Sequence, residues 1–209
     1  MIYLNKKKGF TLVELLVALS VSSIVLAAVA TLAYAFGRAR ESMGDVSRTQ
    51  AYVRYATMRI SDLVRYSKMV CYYDSSSFAV WASDGNDVGQ INVNELVYVD
   101  KGDDSDVLRL CRFSSTTNPT VDLSAIGSLA SNWWTAYSAT ASYTVLVQDC
   151  SNVQFGYLYL PPPQSKFVSV SFELMENGAA RQFEVSARLR GSAANLLNDA
   201  GDGIVSDDD

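Results

Sequence analysis

The hydrophobic pattern divides the chain early. Residues 1–9, MIYLNKKKG, end in three lysines, Lys6, Lys7 and Lys8, before Gly9. Phe10 to Phe36, FTLVELLVALSVSSIVLAAVATLAYAF, then runs for 27 residues with one charge, Glu14. At 1.5 Å per residue such a helix spans about 40 Å, enough to cross a bilayer with tilt. The run is too long for the core of a secretory signal peptide, and no A-x-A-like site closes it. The lysine cluster is denser than Arg38 and Arg40 behind the run, so the leader is expected in the cytoplasm and the rest across the membrane.

From residue 37 to residue 70 the pattern becomes amphipathic. Val46, Val53 and Ile60 recur every seven residues, as do Thr49, Ala56, Leu63 and Val70, with Arg48, Arg54, Arg59, Asp62 and Arg65 outside that stripe. The stripe must cover something: a seam with another chain, or the chain's own C-terminal part, which its small residues favour. From residue 71 short β-like runs take over, at 78–81, 95–99, 107–113, 143–148 and 153–160. A hairpin closes the pattern. Val168, Val170, Phe172 and Leu174 alternate with polar residues, Asn177-Gly178 turns the chain, and Phe183, Val185, Ala187 and Leu189 alternate on the return. Pro161-Pro162-Pro163 belongs in a loop. The fold class expected is α+β, a long N-terminal helix packed on an antiparallel β head (71–190), followed by an acidic, flexible tail (191–209).

Composition narrows the chemistry. The chain has 209 residues, 49% hydrophobic, 19% charged, with no histidine. Histidine is the commonest general base and transition-metal ligand, so zinc hydrolases and Ser-His-Asp or Cys-His enzymes are disfavoured. G-x-S-x-G, Walker A and C-x-x-C motifs are all missing, and an enzyme is not expected. A net charge of −5 argues against a broad nucleic-acid surface.

Glu14 is the conspicuous residue of the apolar run. A carboxylate at a bilayer centre costs on the order of 2.5–3.5 kcal/mol, which makes it a functional candidate; a glutamate at headgroup depth is the plainer alternative. Lys8-Gly9-Phe10-Thr11-Leu12-Val13-Glu14-Leu15-Leu16 resembles the processing motif of type IV prepilins and type II secretion pseudopilins. The resemblance covers residues 1–36. It implies a leader (1–9) removed by prepilin peptidase between Gly9 and Phe10, N-methylation of Phe10, and an assembly helix (10–36) continued by an amphipathic half (37–70). It also implies that Glu14 pairs with the Phe10 amine of a neighbouring subunit. The partners implied are other pilin or pseudopilin subunits, the peptidase, an inner-membrane assembly platform and, before assembly, membrane lipid. Direct contact with nucleic acid is not expected, because the chain without its three leader lysines keeps 14 Lys and Arg against 22 Asp and Glu. The location implied is the cytoplasmic membrane with the head outside the cytoplasm, then a periplasmic or surface filament. Major pilins usually carry a proline in the apolar helix, and none occurs between Phe10 and Phe36. The layout is similar to the PilW-like and pseudopilin-J-like minor pilins, which initiate or cap a filament. A major filament pilin and a membrane-anchored ligand-binding head stay open as alternatives.

Three features of the head have two readings each. Cys71, Cys111 and Cys150 are expected either to form one disulfide, with three possible pairings, or to be buried thiols. The tail from Asn198 to Asp209 partly imitates a calcium loop, with Asp199, Asp202 and Asp207 as weak ligand candidates. Asn198, Asp202 and Gly203 fit that pattern, whereas Ala200 and Asp209 depart from it. No other cofactor is expected, and a solvated tail is the alternative. Trp133, Trp134, Tyr137 and Tyr143 either pack in the core or present a glycan, peptide or subunit surface. Asp100-Lys101-Gly102-Asp103-Asp104-Ser105-Asp106 reads as a hairpin loop.

Overall fold

The structure, a computed structural model, describes residues 9–85, 89–102, 107–127, 129, 132–158, 160–191, 196–199, 201 and 203–205, with backbone alone for Ser42, Asp45, Asn132 and Trp133. One helix, α1 (Leu12–Tyr66), runs unbroken for 55 residues and contributes to two compact units, 1–46 and 47–209. In the first unit no residue of the most apolar 18-residue window is buried. Three hydroxyls of the apolar run bond back to the helix: Ser20 Oγ donates to Leu16 O, Ser23 Oγ to Ser20 O and Thr31 Oγ1 to Ala27 O, each at 2.8 Å. Such back-bonding satisfies those three donors without water.

Among the described residues, the second unit holds the rest of α1 and eight antiparallel strands in two sheets. β1 (Met69–Tyr73), β2 (Ser77–Trp81), β3 (Leu96–Asp100), β4 (Val107–Phe113) and β5 (Ala141–Gln148) lie in that order in the first sheet. The second holds β6 (Cys150–Tyr157), β7 (Phe167–Glu176) and β8 (Ala179–Arg188) in order. The expected α+β plan holds, with the head split into two sheets. Asn177 (φ 53°) and Gly178 (φ 79°) both take positive φ at the β7–β8 turn, which a two-residue hairpin of the right twist requires. Helix α1 ends at Tyr66, four residues short of the periodicity: Ser67 N still donates to Leu63 O in the helical pattern, but Lys68 N turns to Trp81 O of β2. Val70, the last residue of the expected stripe, is therefore a β1 residue, and β1 itself has no counterpart among the expected strands.

Two cores explain why β2 and β3 are buried at every position. Phe78, Val80, Val97, Val99, Leu108 and Leu110 face one way, joining Ala56, Ile60 and Val64 of α1 and the Val168, Val170, Phe172 and Leu174 face of β7. Ala79, Trp81, Leu96, Tyr98, Cys111 and Phe113 face the other way, covered by Ile91, Val93, Leu123, Ile126 and Leu196. A sheet covered on both faces loses the apolar–polar alternation, so these strands read as continuous apolar runs. The α1 stripe contains Val64 between half-buried Leu63 and exposed Arg65, and Ala56 is fully buried in the same face.

Glu95 pins the loop between β2 and β3. Its buried carboxylate accepts Trp81 Nε1–H (3.0 Å), Gly85 N–H (2.7 Å) and Asn92 N–H (3.1 Å). A buried donor left without an acceptor costs roughly 1–3 kcal/mol. Glu95→Ala should therefore destabilise the full chain by about 2 kcal/mol or more, read as a lower urea midpoint in detergent by far-ultraviolet circular dichroism. An unchanged midpoint would show that the carboxylate is dispensable.

Candidate functional site

The N-terminal constellation is built by the first turn of α1. Thr11 precedes the helix and Glu14 is its third residue, the spacing of a capping box. Glu14 Oε2 accepts from both Thr11 N and Thr11 Oγ1 at 2.9 Å, while Thr11 Oγ1 accepts Glu14 N–H at 3.3 Å. Leu15 N donates to Thr11 O at 3.2 Å, closing the first turn. Thr11 thus holds the Glu14 carboxylate at the helix N-terminus, where the backbone dipole favours negative charge. Thr11 has no assigned part in the sequence reading, although the T-x-x-E spacing was there to find it.

Gly9 and Phe10 lie just ahead of this cap. A Cβ built on Gly9 would meet nothing within 4 Å among the described residues, so no packing against them demands glycine there. Phe10 is 85% exposed, and the apolar side chains that follow it share that exposure. Contiguous apolar surface on this scale requires lipid or other helices as its cover.

In the head, the structure buries Cys71, Cys111 and Cys150 with none of them in a disulfide. The expected single disulfide has no geometry here. Cys71 on β1 and Cys111 on β4 are separated by β2 and β3, about 14 Å at the usual strand spacing, where a disulfide needs its Cα atoms within about 7 Å. Cys150 belongs to the opposite core. Sequence spacing could not show which strands are neighbours. Burial pushes the Cys71 thiol up to about 12, offset in part by a backbone hydrogen bond at Trp81. Burial likewise raises Cys111 to about 11, with a hydrogen bond to Tyr143 acting the other way.

The remaining candidates are dispersed. Trp134 packs at the edge of the second core, 6.1 Å from Phe113, and its indole N–H donates to Leu129 O at 2.6 Å. Tyr137 packs against the same core. Tyr143 is exposed and covered on one ring face by the Arg109 guanidinium at 4.2 Å. The Trp133 side chain lies outside the described residues. Asp100 is a strand residue, and its carboxylate accepts Arg109 Nε–H at 2.9 Å across the β3–β4 ladder. Of the calcium candidates, Asp199 is exposed, while Asp202 and Asp207 lie outside the described residues, as do Ala200 and Asp209. No group of three or more Cys, Asp or Glu placed to hold a metal occurs among the described residues. The tail is less free than expected: Leu197 and Ile204 bridge, Asn198 N donates to Gly203 O, and Leu196 is buried.

The raised thiol values set a sign. The folded state binds those protons more tightly than the unfolded chain, whose thiols titrate near 9. Their stabilising effect is complete below pH 9 and is lost as pH rises through about 11 to 12. The unfolding midpoint should fall between pH 9 and pH 11, and that fall should shrink in Cys71→Ala. At pH 8, a disulfide reagent should label none of the three thiols until denaturant is added; labelling of the native chain would contradict the burial.

Residues 4–30 match the family model of the prokaryotic N-terminal methylation motif, whereas no curated protein and no solved structure matches the chain. The chain carries the type IV prepilin and pseudopilin signal, with an apolar helix of membrane-spanning length directly behind it.

Proposed function

We propose that this chain is a minor pilin-type subunit that initiates or caps a short filament after removal of residues 1–9 and methylation of Phe10. The observation that carries the subunit reading is the methylation motif running straight into an apolar helix with no cover of its own. The uninterrupted α1 favours the minor role: a helix without proline keeps its full backbone ladder, whereas a bulk subunit of this type usually has a proline at which the helix can open. Before assembly, the helix anchors the subunit in the cytoplasmic membrane with its head outside. Peptidase, assembly platform and neighbouring pilins complete the machine. No catalytic role is assigned to the head.

Assembly has a physical driving term. Cleavage before Phe10 creates an α-amine one residue from Thr11 and four from Glu14. An ammonium and a carboxylate are each costly in lipid and become complementary when a neighbouring helix supplies the partner; leaving one unpaired is worse than removing both.

Two experiments test this. Quantitative mass spectrometry of sheared filaments and of residual membranes should find the N-terminal peptide beginning at methylated Phe10, in trace amounts relative to the bulk filament protein. Dominance in filaments would make it the major subunit, and an intact leader confined to membranes would leave an anchored head. Glu14→Gln keeps an oxygen to accept from Thr11 and removes the charge. It should be processed normally yet enter filaments at least tenfold less than wild type, as Glu14→Ala should. Full incorporation of Glu14→Gln would reduce Glu14 to a helix cap.

A further inference from the structure

An otherwise acidic chain gathers four cations around one groove of the head. The groove, about 570 Å³, lies between Ser61 and Arg65 of α1 and the end of β8 with the residues after it, as far as Gly191. Among the described residues its lining includes Arg65, Lys166, Arg188 and Arg190, and no Asp or Glu. Arg65, Arg188 and Arg190 are exposed. One wall is tied by Arg190 N–H donating to Arg65 O at 3.1 Å, so helix and strand end are held at a set spacing.

The groove also follows an open strand edge. β8 pairs with β7 on one side and is the last strand of its sheet. Three consecutive β8 residues, Ser186, Ala187 and Arg188, line the hollow, whereas a face would present every second one. An edge offers backbone donors and acceptors at the repeat of another extended chain. Lys166 and Arg188 also border an adjoining hollow of about 500 Å³ walled by Leu158, Leu160 and Phe167.

We propose that this groove receives an extended acidic segment of a neighbouring subunit, its backbone beside β8, its carboxylates on Arg65, Arg188 and Arg190, and an apolar side chain in the adjoining hollow. The neighbouring subunit as the source rests on the filament reading above; the groove's chemistry does not. Charge complementarity selects the occupant. Acidic heads repel one another on close approach, and a basic groove turns that repulsion into a directed contact. The three-residue edge spans about 10 Å, which suits a short peptide.

The test uses the full processed chain in detergent and, as probe, a fluorescein-labelled peptide of residues 201–209, GDGIVSDDD. Fluorescence anisotropy should show saturable binding at low salt that weakens with added salt. Arg188→Glu combined with Arg190→Glu should lower affinity at least tenfold with an unchanged urea midpoint, and a peptide with Asn for every Asp should bind at least tenfold more weakly. Three results would each overturn the proposal: no saturable binding at low salt, equal affinity in the double variant, or a 12-base-pair duplex DNA binding the groove more tightly than the peptide. The same preparations report whether Phe10 is methylated, so a failed groove is separable from a failed subunit assignment.

Discussion

Burial of the α1 stripe between two sheets is the constraint from which the head follows. Ala56, Ile60 and Val64 are fully buried in a cluster that also takes residues from all eight described strands, so neither sheet has a complete inner face without the helix. The first sheet is then committed on one side to the helix and the second sheet, and its other side needs a cover as well. The segments around Ile91, Leu123 and Leu196 provide it. Cross-sheet contacts join the layers: Tyr73 OH donates to Phe155 O at 2.6 Å, and Phe78 meets Phe155 edge-on with ring centroids 5.9 Å apart. Large-to-small changes at such positions remove both transfer energy and packing, which concentrates stability at the helix–sheet junction.

The N-terminal unit obeys a different solvent. Its apolar side chains are exposed, the Ser20, Ser23 and Thr31 hydroxyls donate to its own backbone, and Glu14, the one charge between Phe10 and Phe36, is held by Thr11. The capping box gives Glu14 a partner within its own chain, so the carboxylate has a local structural role before any intersubunit one. The two roles use the same oxygen atoms for different purposes. A cap needs an acceptor, and pairing with an amine needs a negative charge.

The head has no comparable concentration of reactive chemistry. Its three cysteines are buried, with the Cys71 and Cys111 thiols held well above their ordinary range, and its buried acids Glu95, Asp100 and Glu176 are engaged with neighbouring N–H groups. What distinguishes the surface is the meeting of an open edge with a group of cations, a feature suited to recognition by another chain.

The sequence by itself determined whatever depends on short-range pattern. The apolar run, the T-x-x-E cap at Thr11 and Glu14, the Asn177-Gly178 turn and the limits of β4 each involve residues within a few positions of one another, where helix or strand periodicity and turn geometry act directly. Tertiary structure alone decided which strands became neighbours. Cys71 and Cys111 were kept apart by two intervening strands, Val70 passed from the helical stripe into β1, and Arg65 and Arg188, more than a hundred residues apart in sequence, came to share one groove. These outcomes depend on how two-faced sheets bury both sides at once. That requirement acts between distant segments and leaves no local periodicity in any one of them.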